Sequence, residues 1–209
     1  MRPWRHIAIE GPIGAGKTSL ARLLAERLGT GLLLERPEDN PFLARYYAEG
    51  ARHALPTQLT FLFQRIEQYR ALAQPGMFDA RSIVSDFMFD KDALFAELTL
   101  ADDELRLYGQ IHTEMVPRLP APDLVIWLQA DTDALMRRIA QRGLAMEQHI
   151  APTYVQRLAE AYGAYFERRP ELPVLAIDTE GFHPLARTAD LERLVAQLQG
   201  FVGPREALT

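Results

Sequence analysis

The stretch Gly11-Pro12-Ile13-Gly14-Ala15-Gly16-Lys17-Thr18 stands between a short β-type run, His6-Ile7-Ala8-Ile9-Glu10, and a stretch of helical period that begins Ser19-Leu20-Ala21-Arg22. This is G-x-x-x-x-G-K-[ST] in a strand-loop-helix context, and few folds can hold it. Glycines let the backbone curl so that successive N–H groups point inward at phosphate oxygens, and the start of the following helix adds partial positive charge. Gly11, Gly14, Ala15, Gly16 and Ser19 are therefore expected to cradle the phosphates of a nucleotide. Lys17 is expected to reach the β- and γ-phosphates, and Thr18 to place its hydroxyl on Mg²⁺.

Further β-type runs follow at 32–35, 82–86, 124–128 and 174–177, with helical stretches at 17–28, 39–49, 54–73, 87–98, 102–119, 132–142, 152–168 and 186–199. Strands alternating with helices imply an α/β fold: a five-stranded parallel sheet covered by helices on both faces, in three layers. No repeat or interdomain linker interrupts residues 1–209, so one domain is expected. In such sheets ligands sit at the carboxyl ends of the strands, which selects Gly11 onward, Glu35, Asp86 and Gln129.

Composition narrows the partners. With 48% apolar residues the chain can bury a real core, and a formal net charge of -5 argues against nucleic-acid binding. The absence of cysteine excludes disulfides, thiolate metal sites and cysteine nucleophiles. No run approaches the roughly 18 apolar residues of a membrane span, and the start of the chain enters a strand pattern rather than a signal peptide. A cytoplasmic protein without a membrane partner is the expectation.

A phosphate loop does not name the phosphoryl acceptor, because many activities share it. The acceptor has to be read from elsewhere. Glu35 ends the second β-type run, and a carboxylate facing the loop there can accept the proton of an attacking hydroxyl. A solvated loop acid is the plain alternative. The residues that follow Glu35 are Arg36-Pro37-Glu38-Asp39-Asn40-Pro41-Phe42-Leu43, and then Tyr46-Tyr47.

At this point the sequence resembles the deoxynucleoside kinase family, whose pattern here is Glu-Pro, then Asn-Pro-(Phe/Tyr)-Leu and a tyrosine pair. Arg36-Pro37 departs slightly from the family's Pro-Val. The resemblance implies that Glu35 is the general base and that Tyr47 meets the sugar 3′-hydroxyl. It implies that Gln58 and Arg65, seven residues or two helical turns apart and so on one face, read the nucleobase edge beside Phe61. An amide carries donor and acceptor together, as base reading requires. Taken alone, the same helix reads as an amphipathic element with two polar residues at its rim.

The family's (Asp/Glu)-Arg-Ser triplet fits two registers, Ala80-Arg81-Ser82 or Asp86-Phe87-Met88. The second is preferred, because Asp86 ends the strand and Asp92-Ala93-Leu94-Phe95 then also fits. Arg81 would lie at the far end of the strand, about 15 Å from the phosphates at ~3.3 Å per residue. In this register Asp86 helps hold Mg²⁺, Asp92 falls where the family's base-reading aspartate pairs with the arginine that Arg65 matches, and Phe87 stands where the family has an arginine that stabilises the phosphoryl group in transfer. After the fourth strand, Arg138 and Arg142 match two of three lid arginines that close over ATP, Leu144 replaces the third, and Glu147 matches an acidic lid residue near the sugar 3′-hydroxyl.

The resemblance spans residues 5 to 170 in colinear order. It implies a P-loop kinase fold with a lid at about 138–150, use of ATP with Mg²⁺, and transfer to the 5′-hydroxyl of a deoxyribonucleoside, purine or deoxycytidine rather than thymidine. It also implies a homodimer through the helices at 54–73 and 102–119. Two other readings stay open: a nucleoside monophosphate kinase, which would need cations for an acceptor phosphate, and a nucleotide-binding regulator that has lost turnover, for which Phe87 and Leu144 speak.

Overall fold

The computed structural model describes residues 4–72, 82–115 and 121–208. In chain order these form β1 (His6–Glu10), α1 (Lys17–Leu28), β2 (Gly31–Leu33), α2 (Leu43–Glu49), α3 (Ala54–Leu72), β3 (Ile83–Ser85), α4 (Lys91–Thr99) and α5 (Asp102–Met115). They continue with β4 (Leu124–Gln129), α6 (Thr132–Arg142), α7 (Pro152–Glu167), β5 (Val174–Asp178), α8 (Thr188–Gly200) and β6 (Arg205–Leu208). Arg81, and the ends of the helices expected at 54–73 and 102–119, lie outside the described residues.

The sheet has six strands in the order β2-β3-β1-β4-β5-β6, every neighbouring pair parallel. The expectation of five strands is corrected by β6, which adds to the edge beyond β5. Its sequence Arg-Glu-Ala-Leu lacks the apolar run of a strand buried on both faces, and its residues are only partly buried. A helix over 39–49 is corrected too. Asn40 is extended (ψ 105) because it precedes Pro41, so a short 3₁₀ turn at 37–39 ends there and α2 starts only at Leu43.

Alternate residues of the central strands face opposite layers, as the pleat requires. Ile7, Ile9, Ile126 and Leu128 pack with Leu20 and Leu24 of α1, Leu135 and Ile139 of α6, and Leu194 and Leu198 of α8. Ala8, Val125 and Val174 face Leu94 of α4 and Leu158, Tyr162 and Phe166 of α7. A third cluster joins Leu62, Ile66 and Tyr69 of α3 to Tyr108 of α5 and to Phe87 and Phe89. The C-terminal ends of β1, β2 and β3 therefore open together between α1, α3 and α4. Among the described residues no helix is long and apolar enough to cross a membrane.

Candidate active site

The phosphate loop leaves β1 by a backbone path that only glycine takes. Gly11 (φ +146) and Gly14 (φ +86) sit so close to neighbouring backbone that an added Cβ would meet the Leu128 carbonyl oxygen at 2.5 Å and the Leu135 carbonyl oxygen at 2.8 Å. Gly16 precedes α1 in the left-handed region, so the first N–H groups of the helix face the loop's mouth. Glu10 is buried beneath the loop. It accepts hydrogen bonds from the Met88 N–H and the Tyr162 hydroxyl, both at 2.7 Å, and from the Gly11 N–H at 3.3 Å. Burial raises its carboxyl, against the charges of Lys91 and Lys17 and these hydrogen bonds.

Lys17 folds back over the loop and donates to the carbonyl oxygens of Gly11 (2.8 Å) and Pro12 (3.0 Å). Burial first, and the charge of Lys91 second, push its ammonium down to about 8. Thr18 donates its hydroxyl to Asp86 Oδ2 at 2.6 Å, and the other oxygen of Asp86 accepts the backbone N–H of Glu35 at 2.7 Å. One carboxylate thus ties the phosphate loop to the start of the segment that carries Glu35. Thr18 and Asp86 together offer hard oxygens of the kind Mg²⁺ takes, one or two protein ligands completed by phosphate and water.

The Glu35 side chain lies among cations. Lys91 Nζ donates to Oε2 at 2.7 Å, while Arg65 donates to Oε1 through Nε at 3.1 Å and through a second, shorter bond from Nη2. Burial alone would raise this carboxyl, but Lys91 and Arg65 outweigh it and hold the group well below the usual carboxylate range. Arg65 is itself buried (2% exposed), ion-paired on its other side with Asp92 (0%), and packed over the Phe61 ring at 5.0 Å.

These groups border a cavity of about 170 Å³. Its walls include Gly14, Gly16, Lys17, Thr18, Ser19 and Asp86 on the phosphate side, and Glu35, Tyr47, Gln58, Phe61 and Arg65 on the other; Arg142 and Glu147 close it over the top. Gln58 is 2% exposed, and among the described residues its Oε1 has no hydrogen-bond partner. Tyr47 is held neutral by burial and by the nearby charge of Glu147. Of the residues singled out from sequence, Gly11, Ala15, Asp92 and Arg138 do not border this cavity. Gly11 shapes the loop from below, and Asp92 stands behind Arg65. Arg138 donates to the hydroxyl (2.8 Å) and carbonyl (3.0 Å) of Thr179 and lines a neighbouring cavity with Ala15, Gly16, Phe182 and Leu185. Arg142, one turn away, pairs instead with Glu147 at 2.6 Å. The two arginines therefore do not converge here.

The family model described as deoxynucleoside kinase matches residues 7–203. The chain belongs to the deoxynucleoside kinase family. Members of this family are transferases that phosphorylate nucleosides. Similar deoxynucleoside kinases include the deoxyguanosine kinase of Bacillus subtilis, 32% identical over 200 residues that cover 94% of this chain and 97% of that one. The deoxyadenosine/deoxycytidine kinase of the same organism is 28% identical, covering 94% and 92%. In fold, the chain matches the deoxyadenosine kinase from M. mycoides with a TM-score of 0.80 at 24% identity, over 93% of this chain and 98% of that one. Structures of that kinase carry bound dCTP or dATP.

Among the residues of the site not singled out from sequence are three with polar or aromatic roles. Lys91 borders the cavity and holds Glu35; Glu10 braces the loop from beneath; Tyr154, on α7, closes the wall beside Tyr46 with ring centroids 6.2 Å apart. Glu10 was visible only as a polar end to an apolar strand, and nothing local marks the 152-residue link to Tyr162.

Proposed function

We propose that this kinase transfers the γ-phosphoryl group of ATP to the 5′-hydroxyl of a deoxyribonucleoside bound in the cavity between Glu35 and the phosphate loop. The observation that carries the reading is the Asp86 carboxylate, bonded to Thr18 on one side and to the Glu35 backbone on the other. It fixes a prospective base and a phosphate cradle across one cavity, as in-line transfer requires.

In this reading Glu35 takes the proton of the 5′-hydroxyl as the new O–P bond forms. Its oxygens already accept from Lys91 and Arg65, but a carboxylate has about four lone-pair sites, so room for a hydroxyl donor remains. A loose phosphoryl-transfer transition state asks little basicity of that carboxylate, which suits one held so far down. Thr18 and Asp86 would hold Mg²⁺, which when bound would neutralise the charge of the phosphates. Phe61 packs against the nucleobase and Tyr47 and Glu147 meet the 3′-hydroxyl, while Gln58 reads the base edge, its unpartnered Oε1 supplying an acceptor for an exocyclic or ring N–H. Arg65, clamped by Asp92 and Glu35, fixes the geometry of that wall. The cavity around Arg138, Phe182 and Leu185, against the loop's outer side, suits the donor's base, and Arg142 with Glu147 forms the moving edge of a lid over about 138–150.

Arg65, the cation on the acceptor wall beside Gln58, is already clamped between Glu35 and Asp92, which favours a neutral nucleoside over a nucleoside monophosphate as acceptor. A deoxyguanosine, deoxyadenosine or deoxycytidine acceptor fits an amide-and-arginine wall and the preferences named for the relatives. Radiolabelled ATP incubated with each deoxynucleoside and each monophosphate tests the assignment; label in a diphosphate but in no monophosphate would reverse it. We also propose a cytosolic homodimer through α3 and α5. Phe63 and Leu107 on those helices are 45% and 46% exposed, and sedimentation showing only monomer at micromolar protein would refute it.

A further inference from the structure

The family arginine that would sit at position 87 is replaced by Phe87, whose ring is fully buried against Tyr69 at 5.9 Å in the α3–α5 cluster and does not border the cavity. Phosphoryl transfer concentrates negative charge, and a site lacking a cation beside the transferring group loses orders of magnitude in rate. The described cations that border the cavity are Lys17, Arg65, Lys91 and Arg142. Arg65 is enclosed between Glu35 and Asp92, Arg142 is paired with Glu147 at the lid, and Lys17 belongs to the phosphate loop.

We propose that Lys91 is a catalytic residue that supplies this charge, touching Glu35 and the transferring phosphoryl group at once. Only one of its three N–H donors is used among the described residues, on Glu35 Oε2 at 2.7 Å. Lys91 also lines the same cavity as Gly14, Gly16, Lys17 and Thr18 of the phosphate loop, so the base and the loop share its ammonium's surroundings.

Two further observations favour function over structure. Lys91 is the first residue of α4 and 5% exposed, where the helix dipole opposes a cation and burial penalises it, so the helix itself has no use for a charge there. And of the 23 basic residues in the chain only two are lysine, Lys17 and Lys91, both on this cavity. Everywhere else the chain uses arginine. What an ammonium offers that a guanidinium does not is a compact point charge on a flexible stem, able to stay on Glu35 while following the phosphoryl group.

The inference rests on Glu35 being the base. In the step, the 5′-oxygen bonds to the γ-phosphorus, the bond from that phosphorus to the β,γ-bridging oxygen breaks with its electrons passing to ADP, and the hydroxyl proton goes to Glu35. Lys91 keeps its protons throughout.

Lys91→Gln, Lys91→Arg, Lys91→Met and Glu35→Gln, assayed side by side with ATP and the best nucleoside, test the idea. Glutamine keeps a donor for Glu35 but removes the charge. Lys91→Gln and Lys91→Met are expected to lose about 10²-fold or more in kcat with nucleoside KM changed less than about threefold, and Lys91→Arg to recover part of the loss. Thermal melting and calorimetric nucleoside binding confirm the fold of each variant, and should Lys91→Met fail to fold, the Lys91→Gln result decides. A Lys91→Gln kcat within threefold of wild type beside an inactive Glu35→Gln overturns the role of Lys91 and keeps the base. An active Glu35→Gln beside an inactive Lys91→Gln removes the base and leaves the cation standing.

Discussion

The carboxylate of Asp86 accepts the Thr18 hydroxyl at 2.6 Å, and with it the tip of β3 is fastened to the first turn of the helix that follows the phosphate loop. Its second oxygen holds the Glu35 N–H. That junction sets the acceptor side of the cavity against the phosphate side, as the proposed transfer requires.

Gln58 lies on the cavity wall with a buried carbonyl oxygen that has no partner among the described residues, so its contribution should appear in nucleoside affinity. Gln58→Ala is expected to weaken nucleoside binding by ~1–3 kcal/mol, through base-edge groups left unpaired in the complex. Calorimetric titration of the preferred deoxynucleoside measures this directly. An unchanged Kd would take Gln58 out of the base site.

The Arg65–Asp92 pair is a separate matter of stability. Asp92 is fully buried and Arg65 nearly so, and removing one partner leaves an uncompensated charge inside. Asp92→Ala should therefore destabilise the protein by about 3 kcal/mol, the low end of the range for broken buried pairs, because Glu35 still contacts the guanidinium. Urea unfolding followed by circular dichroism checks it, and a loss below about 1 kcal/mol would mean that Arg65 is solvated by another route.

Lys17 gives a pH-linked prediction. Its ammonium is pushed down to about 8 by burial and by Lys91, so at about pH 8.5 the nucleotide-free protein holds it mostly neutral. Phosphate oxygens placed against it favour the charged form. Nucleotide binding should therefore take up a proton there, as the pKa rises from a value below the solution pH to one above it. Titrating ATP at about pH 8.5 in buffers of different ionisation enthalpy should give a buffer-dependent heat corresponding to net uptake. A buffer-independent heat would contradict this.

Local patterns carried the fold and half the site, and distance in the chain hid the rest. The loop from Gly11 to Thr18 and the strand-ending Asp86 are short-range features, and the structure joins them directly. Gln58, Phe61 and Arg65 fall on one face of α3 because their spacing is helical, and all three reach the cavity. Lys91 escaped notice for the opposite reason. At position 87 the sequence offers only a phenylalanine, which packs into the α3–α5 cluster, whereas Lys91 borders the cavity from the start of α4. β6 was invisible because a four-residue edge strand of two charged and two apolar residues resembles a terminal loop, and the separation of Arg138 from Arg142 depends on Thr179, 41 residues away from Arg138.

The central claim is that Glu35 receives the proton of the acceptor hydroxyl. Glu35→Gln preserves the size of the side chain and one acceptor oxygen while removing the base, so single-turnover transfer from radiolabelled ATP to a bound deoxynucleoside tests it most directly. The expected result is a transfer rate lower by about 10²–10⁴-fold, with nucleoside affinity within a few-fold of wild type. Transfer at the wild-type rate by a folded, nucleoside-saturated Glu35→Gln protein would contradict the account.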